Sequence, residues 1–349
     1  MSETAVRPPT PVPPELADWL QDALGVDGPF SLDPLTGGNS NETLLLRAGD
    51  RRWVVRRPPA EAISKSAHDM GREHRVLVAL AQTDVPAPAP VVACADPDVP
   101  GAPFMVMEAI DGHAIADALP ASYPPGPDTL RAVGFAAMDA LAALHRAPWE
   151  SIGLADFGRP AGFLGRQVGR WSGQLQRYRH RELPWFDELG AWLEEHRPPD
   201  GEPGILHGDF HLDNLMLTPG PEIAPAAIID WEMATIGDPL LDLGLFLGFW
   251  GTDRPAEPAM PHVQGVSRAP GSPSRAELAA RYAEGCGRSV EHLDWYMTLA
   301  FWKLAAIVEG AYAQHVQGLL DTPYAARLEH DVPLLLAEAA GFAGLAPRP

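Results

Sequence analysis

Lysine is nearly missing from this sequence. Of its 26 basic residues only Lys65 and Lys303 are lysines, and the other 24 are arginines. Chemistry that ordinarily employs a lysine must fall to one of these two or be carried by an arginine. Cysteine is as scarce: Cys94 and Cys286 are too few for a disulfide framework or a cysteine-based zinc site, and a reducing cytoplasm is the expected setting. Positive charge as a whole is short. With 46 acidic residues the net charge is −20, which argues against a nucleic-acid partner, which needs a basic patch, and against an anionic membrane surface. No apolar run is long enough to span a bilayer, and Met1 to Pro14 holds no apolar stretch of the secretory kind. What remains is an ordinary globular composition, 46% hydrophobic and 21% charged, over 349 residues. That is ample for a two-lobed enzyme with a substantial core.

Residues 1–13 are polar and proline-rich and read as a loose tail. Pro14 then opens a helix in which Leu16, Trp19, Leu20 and Leu24 recur at helical spacing, with Gly25 as the stop. From residue 30 the texture changes to short apolar runs, Leu44-Leu45-Leu46 and Trp53-Val54-Val55, joined by a hairpin turn at 48–51. A helix over 66–81 and two further strands, at 91–94 and 104–107, complete a strand-rich region. After Gly112 the pattern is helical, with stripes such as Leu130, Val133, Ala137, Leu141 and Leu144, interrupted by short strands near 214–217 and 226–230. Further helices are expected at about 239–249, 275–284, 290–317 and 323–340. Residues 252–274, rich in Pro, Gly and Ser, read as a long loop of the functional or disordered kind. The pattern predicts a small strand-rich unit and a larger helical one, hinged near Glu108 to Gly112, with a cleft between them.

The chemistry concentrates in His207-Gly208-Asp209-Phe210-His211-Leu212-Asp213-Asn214, a polar loop between two short apolar runs. Further on, Ile228-Ile229-Asp230-Trp231-Glu232 sets an acid at the end of an apolar strand. Phosphoryl transfer needs a carboxylate to orient the attacking hydroxyl and hard oxygen ligands for magnesium. Asp209 suits the first role, and Asn214 and Asp230 the second. A zinc site on His207, His211 and Asp209 is disfavoured, because Gly208 and its turn-forming neighbours break the helix that the histidine spacing would require.

This string resembles the catalytic signature of the aminoglycoside phosphotransferase and choline kinase group, relatives of the protein kinases. It is similar in particular to the kinase-like domains fused to some acyl-CoA dehydrogenases. The supporting motifs are Gly37-Gly38-Asn39-Ser40-Asn41, Trp53 to Pro59, Ser66 to Glu73, Phe104 to Glu108 and Asp230 to Pro239. The resemblance implies an α+β, protein-kinase-like two-lobed fold with ATP between the lobes. Its parts would be an N-terminal tail and helix over 1–27, an N-lobe over 28–108 and a helical C-lobe over 109–349. It places Gly38, Asn39, Ser40 and Asn41 over the phosphates and Met107, Glu108 and Ile110 beside the adenine. It assigns the strand-lysine position to Arg56, with Glu73 as its partner. The protein-kinase glycine pattern is absent. Asp238, Asp242 and His207 read as braces of the loop, and His211 as either brace or site residue.

The implied reaction moves the γ-phosphate of ATP, with Mg2+, to a hydroxyl of a small molecule. A hydroxyacyl-CoA-type metabolite is the favoured acceptor, and an aminoglycoside the alternative. A nucleotide-binding protein without catalysis is the reading of another class, motivated by the missing strand lysine.

Overall fold

A computed structural model of the chain describes residues 10–35, 41–58, 69–251 and 253–345. Two compact units emerge. The first holds the described residues up to Asp111 together with Asp230–Glu232, and the second holds Gly112–Ile229 and the residues from Met233 onward.

The first unit is built on six antiparallel strands. In chain order the elements are β1 (Thr10–Pro11), α1 (Pro14–Leu24), β2 (Phe30–Pro34), β3 (Glu42–Ala48), β4 (Arg51–Arg57), α2 (Met70–Leu80), β5 (Pro90–Cys94) and β6 (Phe104–Glu108). The strands lie in the order β1-β2-β3-β4-β6-β5. Alternation along the strands sorts the side chains. Leu44, Leu46, Trp53, Val55, Phe104 and Val106 share one core with Leu16 and Leu20 of α1. Arg56, one step past Val55, is turned to the other face and meets Glu73 of α2. The helix at 14–24 thus belongs to the core of this sheet.

Near the start of the chain two boundaries depart from the expected ones. Thr10 and Pro11 pair with Leu32 and Ser31, so residues 10–11 are not loose tail but a sheet edge, where a proline without an N–H is tolerated. The helix predicted over 66–81 has its first described turn at Met70, where the Asp69 side chain accepts the Arg72 N–H at 3.0 Å and caps it. Residues 59–68 lie outside the described residues.

The second unit contains β7 (His113–Ala114), α3 (Pro127–Arg146), α4 (Gln167–Leu175), α5 (Phe186–Glu195), β8 (Gly204–Leu206), β9 (Leu215–Leu217), β10 (Pro225–Ile228), β11 (Thr235–Gly237), α6 (Leu240–Phe249), α7 (Arg275–Cys286), α8 (Leu293–Val316) and α9 (Pro323–Phe342). α8 packs against α6 and α9, and α3 against α7. The strands form a β10-β9-β7 sheet and a β8-β11 pair. The strand expected over 226–230 ends at Ile228, because Asp230 takes a φ of +66°, outside the extended region.

The described part of the 252–274 loop is tied down by buried polar contacts. Arg254 binds Glu338 through Nε (2.9 Å) and NH2 (2.8 Å), and the Met260 N–H donates to Asp331 at 3.0 Å. Among the described residues no helix is long and apolar enough to cross a membrane.

Candidate active site

β8 delivers the chain into the loop His207–Asn214, and β9 takes it away. Gly208 has a φ of +87°, and a Cβ there would lie 2.5 Å from the Met233 carbonyl oxygen, so only glycine fits the turn. Asp242, in the first turn of α6, fixes this turn from below. Its carboxylate accepts the His207 N–H at 2.7 Å and the Gly208 N–H at 2.8 Å. His145 lies 3.3 Å from the same carboxylate and 2.8 Å from the Tyr282 hydroxyl. His207 is fully buried. Its Nε2 bonds the Ile229 carbonyl at 2.8 Å, and its Nδ1 accepts the Asp209 N–H at 3.3 Å. Asp238 accepts the Tyr296 hydroxyl at 2.8 Å.

Asp209 projects from this frame with 45% of its side chain exposed. Asn214 Nδ2 donates to the Asp209 backbone carbonyl at 2.9 Å and reaches its Oδ2 at 3.3 Å. His211 lies 3.5 Å from the Asp209 carboxylate and 3.0 Å from that of Asp213. The packed surroundings push the Asp209 carboxyl up, but the charge and hydrogen bond of His211, with Lys303 behind, outweigh them and hold it below the usual carboxylate range. His211 is pushed the other way. Burial disfavours its charge, yet Asp209 and Asp213 raise it well above an ordinary imidazole. At neutral pH the loop therefore presents an ionised aspartate beside a charged histidine. Asn214 spends its amide donors here, which leaves its Oδ1 as an acceptor.

The first unit gathers a second polar cluster. Arg56, 5% exposed, reaches Glu73 at 3.2 Å and Asp230 at 2.8 Å. Asn41 donates to Glu232 at 3.0 Å. Burial lowers the Arg56 pKa, but Glu73 and Asp230 raise it further, so it stays charged. Glu73 is pushed up to about 7, first by burial, then against the pull of Arg56 by the nearby Asp230 and Glu232. Three carboxylates thus surround one guanidinium.

Of the sequence-predicted residues, the fold brings Arg56, Glu73 and Asp230 into one cluster and Asp209 and Asn214 into another. Met107 is buried in β6, and the Glu108 N–H is spent on the Ala89 carbonyl at 2.9 Å. Ile110 follows the strand, half-buried. Gly38, Asn39 and Ser40 lie outside the described residues. Two residues escaped the sequence reading. Glu232, the partner of Asn41, was signalled only by its place two positions after Asp230. Lys303, whose Nζ donates to the Gly208 carbonyl at 3.2 Å, was signalled only by its rarity.

Each unit offers hard oxygens of the kind magnesium takes: Asn214 Oδ1 in the second, and the Asp230 carboxylate beside Arg56 in the first. Among the described residues no group of three or more His, Cys, Asp or Glu is arranged to hold a metal. Magnesium bound by one or two side chains and by phosphate needs no such cage.

Comparison with known proteins gives a consistent picture. The profile of the phosphotransferase enzyme family matches residues 31–278. Acyl-CoA dehydrogenase family member 11 of Gallus gallus is 33% identical over 298 residues, 83% of this chain and 38% of that protein. The chain thus spans about two fifths of this curated relative's length. A crystal structure of a candidate aminoglycoside phosphotransferase from Ralstonia eutropha JMP134 superimposes with a TM-score of 0.80 at 28% identity, covering 95% of this chain and 98% of that one. The aminoglycoside phosphotransferase APH(4)-Ia, solved with AMP-PNP and hygromycin B, gives a TM-score of 0.59 at 16% identity over 97% of this chain and 100% of that one, a likeness of fold.

Proposed function

The chain belongs to the phosphotransferase enzyme family, and from that membership we propose that it transfers the γ-phosphate of ATP to a hydroxyl of a small metabolite of the hydroxyacyl-CoA type. The observation that carries the reading is Asp209: an accessible carboxylate, kept ionised, on a loop whose backbone is pinned by buried groups. Asp209 orients the acceptor hydroxyl and takes its proton as the bond to phosphorus forms. Asn214 and Asp230 are the residues that would hold magnesium, both offering the hard oxygens it takes. When bound, magnesium spreads the negative charge of the phosphates. Arg56 contributes fixed positive charge in the role usual for a lysine, held in place by Glu73. Gly38, Asn39, Ser40 and Asn41 are assigned to the phosphates, and Met107, Glu108 and Ile110 to the adenine. Nucleotide use is supported by the AMP-PNP complex of APH(4)-Ia.

The acceptor is inferred from the relatives. They are named for acyl-CoA dehydrogenation, and an acyl-CoA carrying a hydroxyl is a compound on which both chemistries could act. An aminoglycoside is the second reading, favoured by the Ralstonia eutropha structure and by a net charge of −20, which suits polyamines.

Transfer of labelled phosphate from ATP to a panel of hydroxyacyl-CoAs, other hydroxylated metabolites and aminoglycosides tests both. Asp209→Asn is expected to keep nucleotide binding while losing roughly 10²- to 10⁴-fold in turnover, the usual contribution of a general base. Full activity in that variant would sink the mechanism. Nucleotide binding with no transfer to any acceptor would favour a non-catalytic role.

A further inference from the structure

One buried cation close to the loop has no part in the reaction as drawn. Lys303 lies on α8 and is 9% exposed. Its Nζ sits 5.4 Å from the centre of the Trp171 ring and donates to the Gly208 carbonyl. Among the described residues no carboxylate lies within ion-pair distance of it. Burying an ammonium in this way is costly unless its charge is used.

The position of that single hydrogen bond matters. The Gly208 carbonyl and the Asp209 N–H are the two ends of one planar peptide. Lys303 holds the first end at 3.2 Å, and His207 Nδ1 holds the second at 3.3 Å. Asp242 holds the preceding N–H, that of Gly208, at 2.8 Å. With these three grips the peptide has no freedom to rotate, and the direction in which Asp209 leaves the backbone is set. Three elements supply the charges facing the ammonium: Asp209 from the loop and Asp242 from α6 attract it, and Arg170 from α4 repels it. Arginine makes up 24 of the 26 basic residues, yet it suits this site badly. Its planar fork carries five donors, and one carbonyl would leave most of them buried without partners. A compact ammonium is the cation that fits.

We propose that Lys303 is a positioning residue of the catalytic loop, whose ammonium grips the Gly208 carbonyl and thereby aims the Asp209 carboxylate. This rests on the reading of Asp209 as the group that orients the acceptor hydroxyl. Burial lowers the Lys303 pKa, and the attraction of Asp242 and Asp209 only partly restores it. The charge on Lys303 is therefore lost at a lower pH than that of an exposed lysine, and turnover falls with it on the alkaline side.

The two-lysine composition makes a direct test simple. Protein labelled with ¹³C at lysine Cε gives two resonances, which Lys65→Arg assigns. The Lys303 signal is expected to titrate below the ordinary lysine range, and lower still in Asp209→Asn, where one attracting charge is gone. Titration at the ordinary value, or insensitivity to Asp209→Asn, overturns the proposal without reference to activity. In magnesium-dependent ATP turnover with water as acceptor, Lys303→Met is expected to lose roughly 10²-fold in kcat, the size of effect that misaiming a reacting group produces. Its nucleotide KM stays within about twofold, and its alkaline limb disappears. Unchanged kcat, or an alkaline limb that persists in Lys303→Met, overturns the proposal. Absence of transfer to water and to every acceptor of the panel above in the unmodified chain overturns the kinase reading and the positioning role with it, whereas a low, Asp209-sensitive Lys303 resonance would still establish the contact.

Discussion

Arg56 shows what a single position can and cannot disclose. The family resemblance marked it as standing at the strand-lysine position, and Glu73 as the acid to pair with it, and the fold brings the two together. The third member of the cluster, Asp230, is 174 positions away, and the fold alone shows that Arg56 divides its charge between the two. The consequence falls on Glu73. An unfolded glutamate titrates near 4.3, whereas Glu73 in the fold is pushed up to about 7. Between those values the folded chain binds more protons than the unfolded one, so this group's contribution to stability falls as pH rises through the window and has gone above it. Glu73→Gln removes the titration and keeps an acceptor for Arg56. Its stability relative to the unmodified chain is therefore expected to rise by about 2–3 kcal/mol from pH 5 to pH 8, then level off. Chemical denaturation at a series of pH values checks this, and a difference that does not vary with pH would show that Glu73 stays ionised throughout.

At the scale of elements, sign and size are decided by space. α6 and α8 are apolar on nearly every side and cross closely. A Cβ on Gly244 of α6 would lie 2.7 Å from the Tyr296 backbone carbon and 2.8 Å from its Cβ, atoms that cannot move without shifting α8. Gly244→Ala is therefore expected to cost about 1–3 kcal/mol, despite the better helix propensity of alanine. Gly169 of α4 has open space around it, and Gly169→Ala is expected to gain about 0.5–1 kcal/mol. Thermal or denaturant unfolding of the pair checks both signs, and a stabilised Gly244→Ala would mean that the helices do not cross as described. The helices themselves were readable from periodicity, because each stripe is local. The 252–274 loop was not, because what orders it is remote: Glu338 is 84 positions from Arg254, and Asp331 is 71 from Met260. For the same reason, the Asp209–Asn214 pair, five residues apart, was legible in the sequence, while the grip of Lys303 on Gly208, 95 positions away, was not.

Across the whole molecule, net charge narrows the partners far more than it identifies them. A charge of −20 argues against nucleic acid and anionic membranes, yet it is indifferent to whether a nucleotide with its magnesium is bound. That depends on where a few oxygens stand, and the chain order scatters them: Asp230–Glu232 belongs to the first unit, while the residues on either side belong to the second. If Asp230 and Asn214 hold magnesium together with the nucleotide, binding is measurable as stability without any knowledge of the acceptor. A ligand present at about 100 times its Kd adds about 2.7 kcal/mol to the folded state. Mg·ATP is therefore expected to raise Tm by a few degrees, and ATP with a chelator by much less. Asp209→Asn should keep the shift, since Asp209 is assigned to the acceptor. Asp230→Asn should lose its magnesium-dependent part, whatever its own starting Tm after the Arg56 contact is weakened. An Asp230→Asn variant that kept the full magnesium-dependent shift would remove Asp230 from the metal site and leave it as a partner of Arg56 alone.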